Sequence, residues 1–303
     1  MFLFKKDKLK QYTKELNLAF KTKDVDSLKR VIAKADEDNV VLNINEKFDL
    51  YKPLPLTEAI HSKNAEIVEI ILNYAENHNI KLDLNDTTDL GVTPLNYAIK
   101  LRTTNKIVKL ILNYATKNDI PVNVNGEIPM LLFGKIKNDG FIDLFIEYTD
   151  HHHILLSINE PYDGSTPFIK TFENNDIDYA KKIIDYANSH DIILKTNDKD
   201  KDKNYPLLYA VKKNNIEMVR LLMDYADTHN SVLIMNDSNK LGKFPILEAA
   251  EKNNIEMVKL LIDYANRHQM ILNTSPESIN IKKINNKDIL NILINYSNMN
   301  GMN

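Results

Sequence analysis

The sequence predicts an all-α array of about eight stacked helix-turn-helix units whose outermost members are degenerate. Three observations predict it. Pro recurs at 55, 94, 129, 167, 206 and 245, at intervals of 39, 35, 38, 39 and 39. A Tyr stands nineteen residues after each of these Pro residues, twenty in one unit, at 74, 114, 148, 186, 225 and 264. Residues 206–230 (PLLYAVKKNNIEMVRLLMDYADTHN) and 245–269 (PILEAAEKNNIEMVKLLIDYANRHQ) are close copies. Residues 15–39 fit the template without Pro or Tyr, and the segment from Pro276 to Tyr296 repeats its second half. The expected organisation is one array over residues 1–303, with units starting near 15, 55, 94, 129, 167, 206, 245 and 276 behind an N-terminal cap at 1–14. End units face water on one side, so their pattern fades.

Each element of a unit has a local cause. Gly stands three residues before Pro at 91, 126, 164 and 242, and Thr93 and Thr166 directly precede it. Gly supplies the turn, Thr is placed to cap the helix, and Pro at the first helical position gives up no hydrogen bond. A short helix of about nine residues should follow, with Ala98, Ala210 and Ala249 where neighbouring helices approach. Asn at 64, 138, 174, 214 and 253 suits a left-handed turn. A second helix then carries apolar residues at helical spacing, as in Ile216, Val219, Leu222 and Ala226. Neither helix has enough apolar face to stand alone, so stacking must bury it.

Composition narrows the function. With 39 Lys+Arg against 42 Asp+Glu the net charge is −3, so no polyanion or membrane surface is called for. Zero Cys excludes disulfides, thiolate zinc sites and a cysteine nucleophile, and suits a reducing, cytoplasmic setting. Seven Gly, none in G-x-G spacing, build no phosphate-cradling loop, so no cofactor is expected. Met1-Phe2-Leu3-Phe4-Lys5-Lys6 is too short an apolar stretch for a secretory signal, and no run elsewhere approaches the ~18 residues of a membrane span.

The order G-x-T-P-L-x-x-A, a turn, then I-x-x-V-x-x-L-L, as in Gly91-Val92-Thr93-Pro94-Leu95-Asn96-Tyr97-Ala98, resembles the ankyrin repeat over nearly the whole chain. The fold implied is an ankyrin-type helix-turn-helix solenoid with degenerate end caps. There are departures. The ankyrin unit has about 33 residues, and its usual His two places after Pro is here Thr57, Asn96, Leu131 or Leu208. Where the ankyrin pattern closes its second helix with Gly, this chain has Ala75, Ala115, Ala187, Ala226 and Ala265. Ala favours helix over Gly by about 1 kcal/mol, so the second helix should run on by about one turn.

Several patterns invite a site. His78, His152, His190, His229 and His268 share one position, four after the Tyr. Packed helices sit about 8–10 Å apart while zinc ligands lie about 2 Å from the metal, so the column fits helix C-termini better than a metal. His151-His152-His153 cannot converge on one ion while helical and fit a frayed helix end; Phe133, Gly134 and Gly140 mark the same unit as a possible joint. Asp198-Lys199-Asp200-Lys201-Asp202 begins like a calcium loop, but Lys203 and Tyr209 stand where such a loop has Gly and Glu. It is read as a connecting loop, and the Tyr column as packing. No metal site is expected.

Similar ankyrin arrays bind partners through the loop tips before the Pro and the exposed end of the first helix, which form one concave face. The matching positions are Tyr51, His61, Asp89, Leu90, Val92, Lys100, Leu101, Tyr162, Asp163, Glu173, Asn174, Lys201, Lys212, Lys213, Lys240, Lys243 and Lys252. Their C-terminal portion is rich in Lys, which suits an acidic peptide. From Lys195 to Lys259, however, eleven basic residues meet ten acidic ones, so DNA is not favoured.

The function expected is a non-catalytic scaffold that holds a peptide or protein partner on that face, with the array itself a monomer. Two alternatives stand beside it: a nucleic-acid-binding helical array, and a structural spacer of a larger protein. An enzyme is disfavoured, because the chain lacks a G-x-S-x-G turn, an H-E-x-x-H helix and a Gly-rich cofactor loop.

Overall fold

A computed structural model describes residues 2–46, 54–87, 91–101, 103, 105–124, 128–129, 141–274 and 284–301. Among them stand fourteen helices and no β-strand. In chain order these are α1 (Phe2–Thr22), α2 (Val25–Glu37), α3 (Pro55–His61), α4 (Ala65–Asn77), α5 (Pro94–Lys100), α6 (Asn105–Lys117) and α7 (Phe141–His151). They continue with α8 (Pro167–Glu173), α9 (Ile177–Ser189), α10 (Pro206–Lys212), α11 (Ile216–Thr228), α12 (Pro245–Glu251), α13 (Ile255–Arg267) and α14 (Lys287–Met299). The chain divides into two compact units, the first holding α1 to α7 and the second α8 to α14. In the first, α3 packs on α4 and α5, and α4 on α2 and α6. In the second, α10 packs on α8, α11 and α12, and α13 on α12 and α14.

The short helices are seven residues long, shorter than the nine expected. Each begins at its Pro, and the Oγ1 atoms of Thr93 and Thr166 accept from the amides of Asn96 and Ile169, both at 3.3 Å. Where Thr is absent, Leu54, Tyr205 and Phe244 hold the cap position and are buried instead. The left-handed turn falls on the eighth residue after Pro, at Lys63, Asn175, Asn214 and Asn253, with φ between 56 and 60°. Two expected turn residues are thereby displaced. Asn64 (φ −99°) caps α4 and Asn174 (φ −79°) closes α8, because position relative to Pro, more than residue preference, sets the turn. Asn138 lies outside the described residues. The extra residue of the Pro94 unit sits in the turn, where four residues separate α5 from α6 instead of the usual three.

The long helices run thirteen residues, eleven in α7. They pass through the Ala that replaces Gly and stop at a left-handed residue four later: Asn79, Asp119, Asp191, Asn230 and Gln269. The Ser231 amide bonds the Ala226 carbonyl at 2.8 Å and the Asn230 amide that of Asp227 at 3.3 Å, closing the helix in the Schellman manner. Beyond it the chain is extended, and alternate residues enter the core: Leu42 and Ile44, Leu82 and Leu84, Val122 and Val124, Leu233 and Met235.

Candidate partner-binding surface

The loop tips before α10 and α12 are each built by one carboxylate or amide. Asp200 Oδ1 accepts from the amides of Asp202 (2.9 Å) and Asn204 (2.8 Å), and its Oδ2 from the Tyr209 hydroxyl at 2.5 Å. In the next repeat Asn239 takes the same place: its Oδ1 accepts from the Leu241 and Lys243 amides, at 2.9 and 3.0 Å. Asn239 Nδ2 also reaches Asn204 Oδ1 at 2.8 Å, which ties one tip to the next. Burial, then the Asp200 carboxylate beside it, pushes the Tyr209 phenol far up, so it remains a donor at any physiological pH.

The tips also carry a chain of ion pairs. Lys201 Nζ lies 2.5 Å from Asp163, and Lys240 Nζ 3.4 Å from Asp202. Lys199 pairs with Asp237, and Lys243 folds back onto Glu251 at the end of α12. Asp200 is thus committed to its own loop and Asp202 to a lysine, and among the described residues no group of three His, Asp or Glu can hold a metal ion.

The structure sorts the predicted residues. Tyr51, Asp89 and Leu90 lie outside the described residues. In the first unit, His61 Nδ1 lies 2.7 Å from the Tyr97 hydroxyl with the two rings stacked, Lys100 is exposed, and Val92 and Leu101 are half-buried. In the second, Tyr162 and Asp163 form a tight turn closed by a bridge between Tyr162 and Ser165. Glu173 pairs with Lys170, and Asn174 closes α8. Lys201, Lys240 and Lys243 are held by carboxylates of the array itself. Lys212 ends α10, while Lys213 and Lys252 close α10 and α12; all three are exposed with no ion pair among the described residues. Because α10 packs on α12, these three cations lie on adjacent helix ends.

At the loop tips one exposed residue lies outside the expected set. Leu241, 77% exposed, stands at the tip between Lys240 and Gly242. Its signal was present: it lies four residues before Pro245, as Tyr51, Leu90 and Asp163 do before their own Pro.

The repeated His are helix closures. His78, His190, His229 and His268 occupy the C-cap positions of α4, α9, α11 and α13. Each ring lies 4.1–4.3 Å from that of the Tyr four residues earlier. His78 and His268 also reach across to Asp36 (3.0 Å) and Asp227 (2.8 Å) of the preceding repeat. His152 stacks on Tyr148 in the same way and His153 (φ 53°) supplies the left-handed stop, so the triple His is a regular helix end. Phe133, Gly134 and Gly140, on which the expected joint rests, lie outside the described residues.

Repeat period, Pro-led short helices and Schellman-closed long helices agree with the sequence comparison: a family model described as ankyrin repeats, in three copies, matches residues 187–273. Residues 187–273 are a run of ankyrin repeats. The chain is also similar in fold to the crystal structure of the ankyrin repeat domain of Bcl-3, a member of the IkappaB protein family. That likeness has a TM-score of 0.51 at 13% identity and covers 81% of this chain and 97% of that one. Among curated protein sequences none matches. Ankyrin repeats in general serve as protein–protein interaction scaffolds. Among the described residues, no helix is long and apolar enough to cross a membrane.

Proposed function

We propose that the chain is a non-catalytic scaffold, acting as a monomer, that holds an acidic peptide or an acidic surface of a protein on the face made by its loop tips and short-helix ends. The observation that carries this reading is the contrast among the lysines of the second unit. Lys201, Lys240 and Lys243 are neutralised by Asp163, Asp202 and Glu251, whereas Lys212, Lys213 and Lys252 project with no internal partner among the described residues. Three like charges on packed helix ends repel each other, and an acidic ligand relieves that repulsion. The neutralised tips, with Leu241 at their edge, supply a rigid border. The mixed charge around them keeps the cationic patch local, which favours a peptide over a nucleic acid.

The test is an affinity capture from cell extract with wild type and with the Lys212→Glu, Lys213→Glu, Lys252→Glu variant, both shown folded by circular dichroism. A protein retained by wild type and lost from the variant supports the reading. Equal retention places the partner elsewhere on the array, and retention that nuclease treatment abolishes points to nucleic acid.

A further inference from the structure

Among the described residues, five of the large apolar side chains left exposed occupy one repeat position: Val41, Leu155, Ile193, Val232 and Ile271. Alternation puts them there. In the extended segment after each long helix the residues on either side of this position differ in burial, but the next residue always enters the core, as Leu194, Leu233 and Leu272 do. The fold does not need an apolar residue there, since Lys81 fills the position in the first unit. In the second unit three successive repeats nonetheless present Ile193, Val232 and Ile271, at 64, 48 and 53% exposure. Their spacing is fixed, because their carbonyls accept from the side-chain amides of Asn159, Asn197 and Asn236 at 2.7, 2.7 and 2.8 Å. An apolar row held at fixed spacing offers a partner a surface to pack against.

The charge around the row is mainly acidic. Asp185, Asp224 and Asp263, each directly before its Tyr, and Asp191 at a helix stop are exposed and make no ion pair among the described residues. The C-termini of α9, α11 and α13, the negative ends of their dipoles, open onto the same loops. Of the cations near these aspartates, Arg267 is held by Asp227 at 2.7 Å, Lys181 by Glu217 and Arg220 by Glu256, leaving Lys195 and Lys259 as the exposed counter-charges. Beside Val232 a surface cavity of about 480 Å³ opens between Asn230 and Ser231 on one repeat and Arg267 and His268 on the next.

We propose that this edge of the second unit, on the loops that follow the long helices, binds a basic amphipathic helix of a protein partner. Neighbouring repeats carry packed helices about 8–10 Å apart, and an α-helix advances about 10 Å in seven residues. A helix lying along the row with one apolar residue in every seven would meet Ile193, Val232 and Ile271 in turn, with its Lys and Arg facing the aspartates. The site is separate from the cationic face proposed above and takes a ligand of the opposite charge.

The probe is a fluorescein-labelled peptide of about three heptads, made of Ala, Lys and Arg with Leu at every seventh position. Its control has the same composition with the Leu residues on different helix faces. Fluorescence anisotropy should show the probe binding wild type at least tenfold more tightly than the control does. The Ile193→Ser, Val232→Ser, Ile271→Ser variant, confirmed folded by circular dichroism, should lose that tenfold preference. The Lys212→Glu, Lys213→Glu, Lys252→Glu variant should keep it, so failure of the cationic-face reading and failure of this one are told apart. Equal binding of probe and control, no binding to wild type, or equal binding by the Ser variant each overturns the proposal. So does a dimer in sedimentation equilibrium that the Ser variant dissolves, which would assign the row to a second copy.

Discussion

The hydroxyl of Tyr225 accepts a hydrogen bond at 2.9 Å from the backbone amide of Leu194, in the loop that leaves the preceding long helix. The same bond recurs from Leu42 to Tyr74 (2.8 Å), Val122 to Tyr148 (2.8 Å) and Leu233 to Tyr264 (3.2 Å). Each Tyr thus fills the core with its ring and satisfies, with its oxygen, a buried amide that no sheet partner serves. Burial pushes the Tyr225 phenol up, so the contact persists through the physiological range.

Tyr225→Phe should therefore cost about 1–3 kcal/mol, the penalty of leaving a buried donor unmatched while the ring still packs. Urea unfolding measures the loss, and hydrogen exchange locates it: the Leu194 amide should exchange faster while the amides inside α4 keep their protection. A variant as stable as wild type would mean that the loop relaxes to another acceptor.

The repeat was legible because Pro and Tyr each sit where one residue type is needed, Pro to open the short helix and Tyr to reach the previous loop. Contacts between repeats were not legible. Asn159, Asn197 and Asn236 read as loop composition, since only the register of adjacent loops makes each amide bridge a carbonyl and an amide of the next repeat. Lys243 looked like a binding cation because Glu251 lies eight residues on, and only the fold of tip onto helix end brings them together. Ile193, Val232 and Ile271 are not distinguishable in the sequence as surface residues, because an alternating loop segment resembles a packed one until its exposed side is known.

Asn197 bonds the Val232 carbonyl at 2.7 Å and accepts from the Ile234 amide at 2.9 Å. Asn197→Ala should cost about 1 kcal/mol, as both groups are partly open to water. Asn197→Asp should be worse than Ala at neutral pH, because it keeps the acceptor but sets a carboxylate against a carbonyl. Thermal melts of the two variants rank them, and an Asp variant as stable as wild type would remove the bridge from the account.

His152 links protonation to the stability of the first unit. Burial, then the neighbouring His151, holds its pKa below the ordinary value. A folded-state value below the unfolded one, near 6.5, means that folding favours the neutral ring. This contribution is fully present above the unfolded value and is lost as pH falls through the depressed folded value. Denaturation midpoints at pH 7.5 and 5.0 should fall less in His152→Gln than in wild type; an equal fall would place the acid sensitivity elsewhere.

Gly164 has φ +77°, and a Cβ there would stand 2.5 Å from Lys201 Cε. Two effects oppose a side chain, and their sizes differ. The left-handed backbone costs a non-glycine residue about 1–2 kcal/mol, whereas the Lys201 arm can swing aside. Losing its exposed pair with Asp163 then costs well under about 1 kcal/mol. Gly164→Ala should accordingly lower stability by about 1–2 kcal/mol, and Lys201→Ala alone should be close to neutral. In a double-mutant cycle the Lys201→Ala background should restore only a small part of the Gly164→Ala loss. Full restoration would show that contact with the lysine arm, and not the backbone, is why Gly stands at this turn.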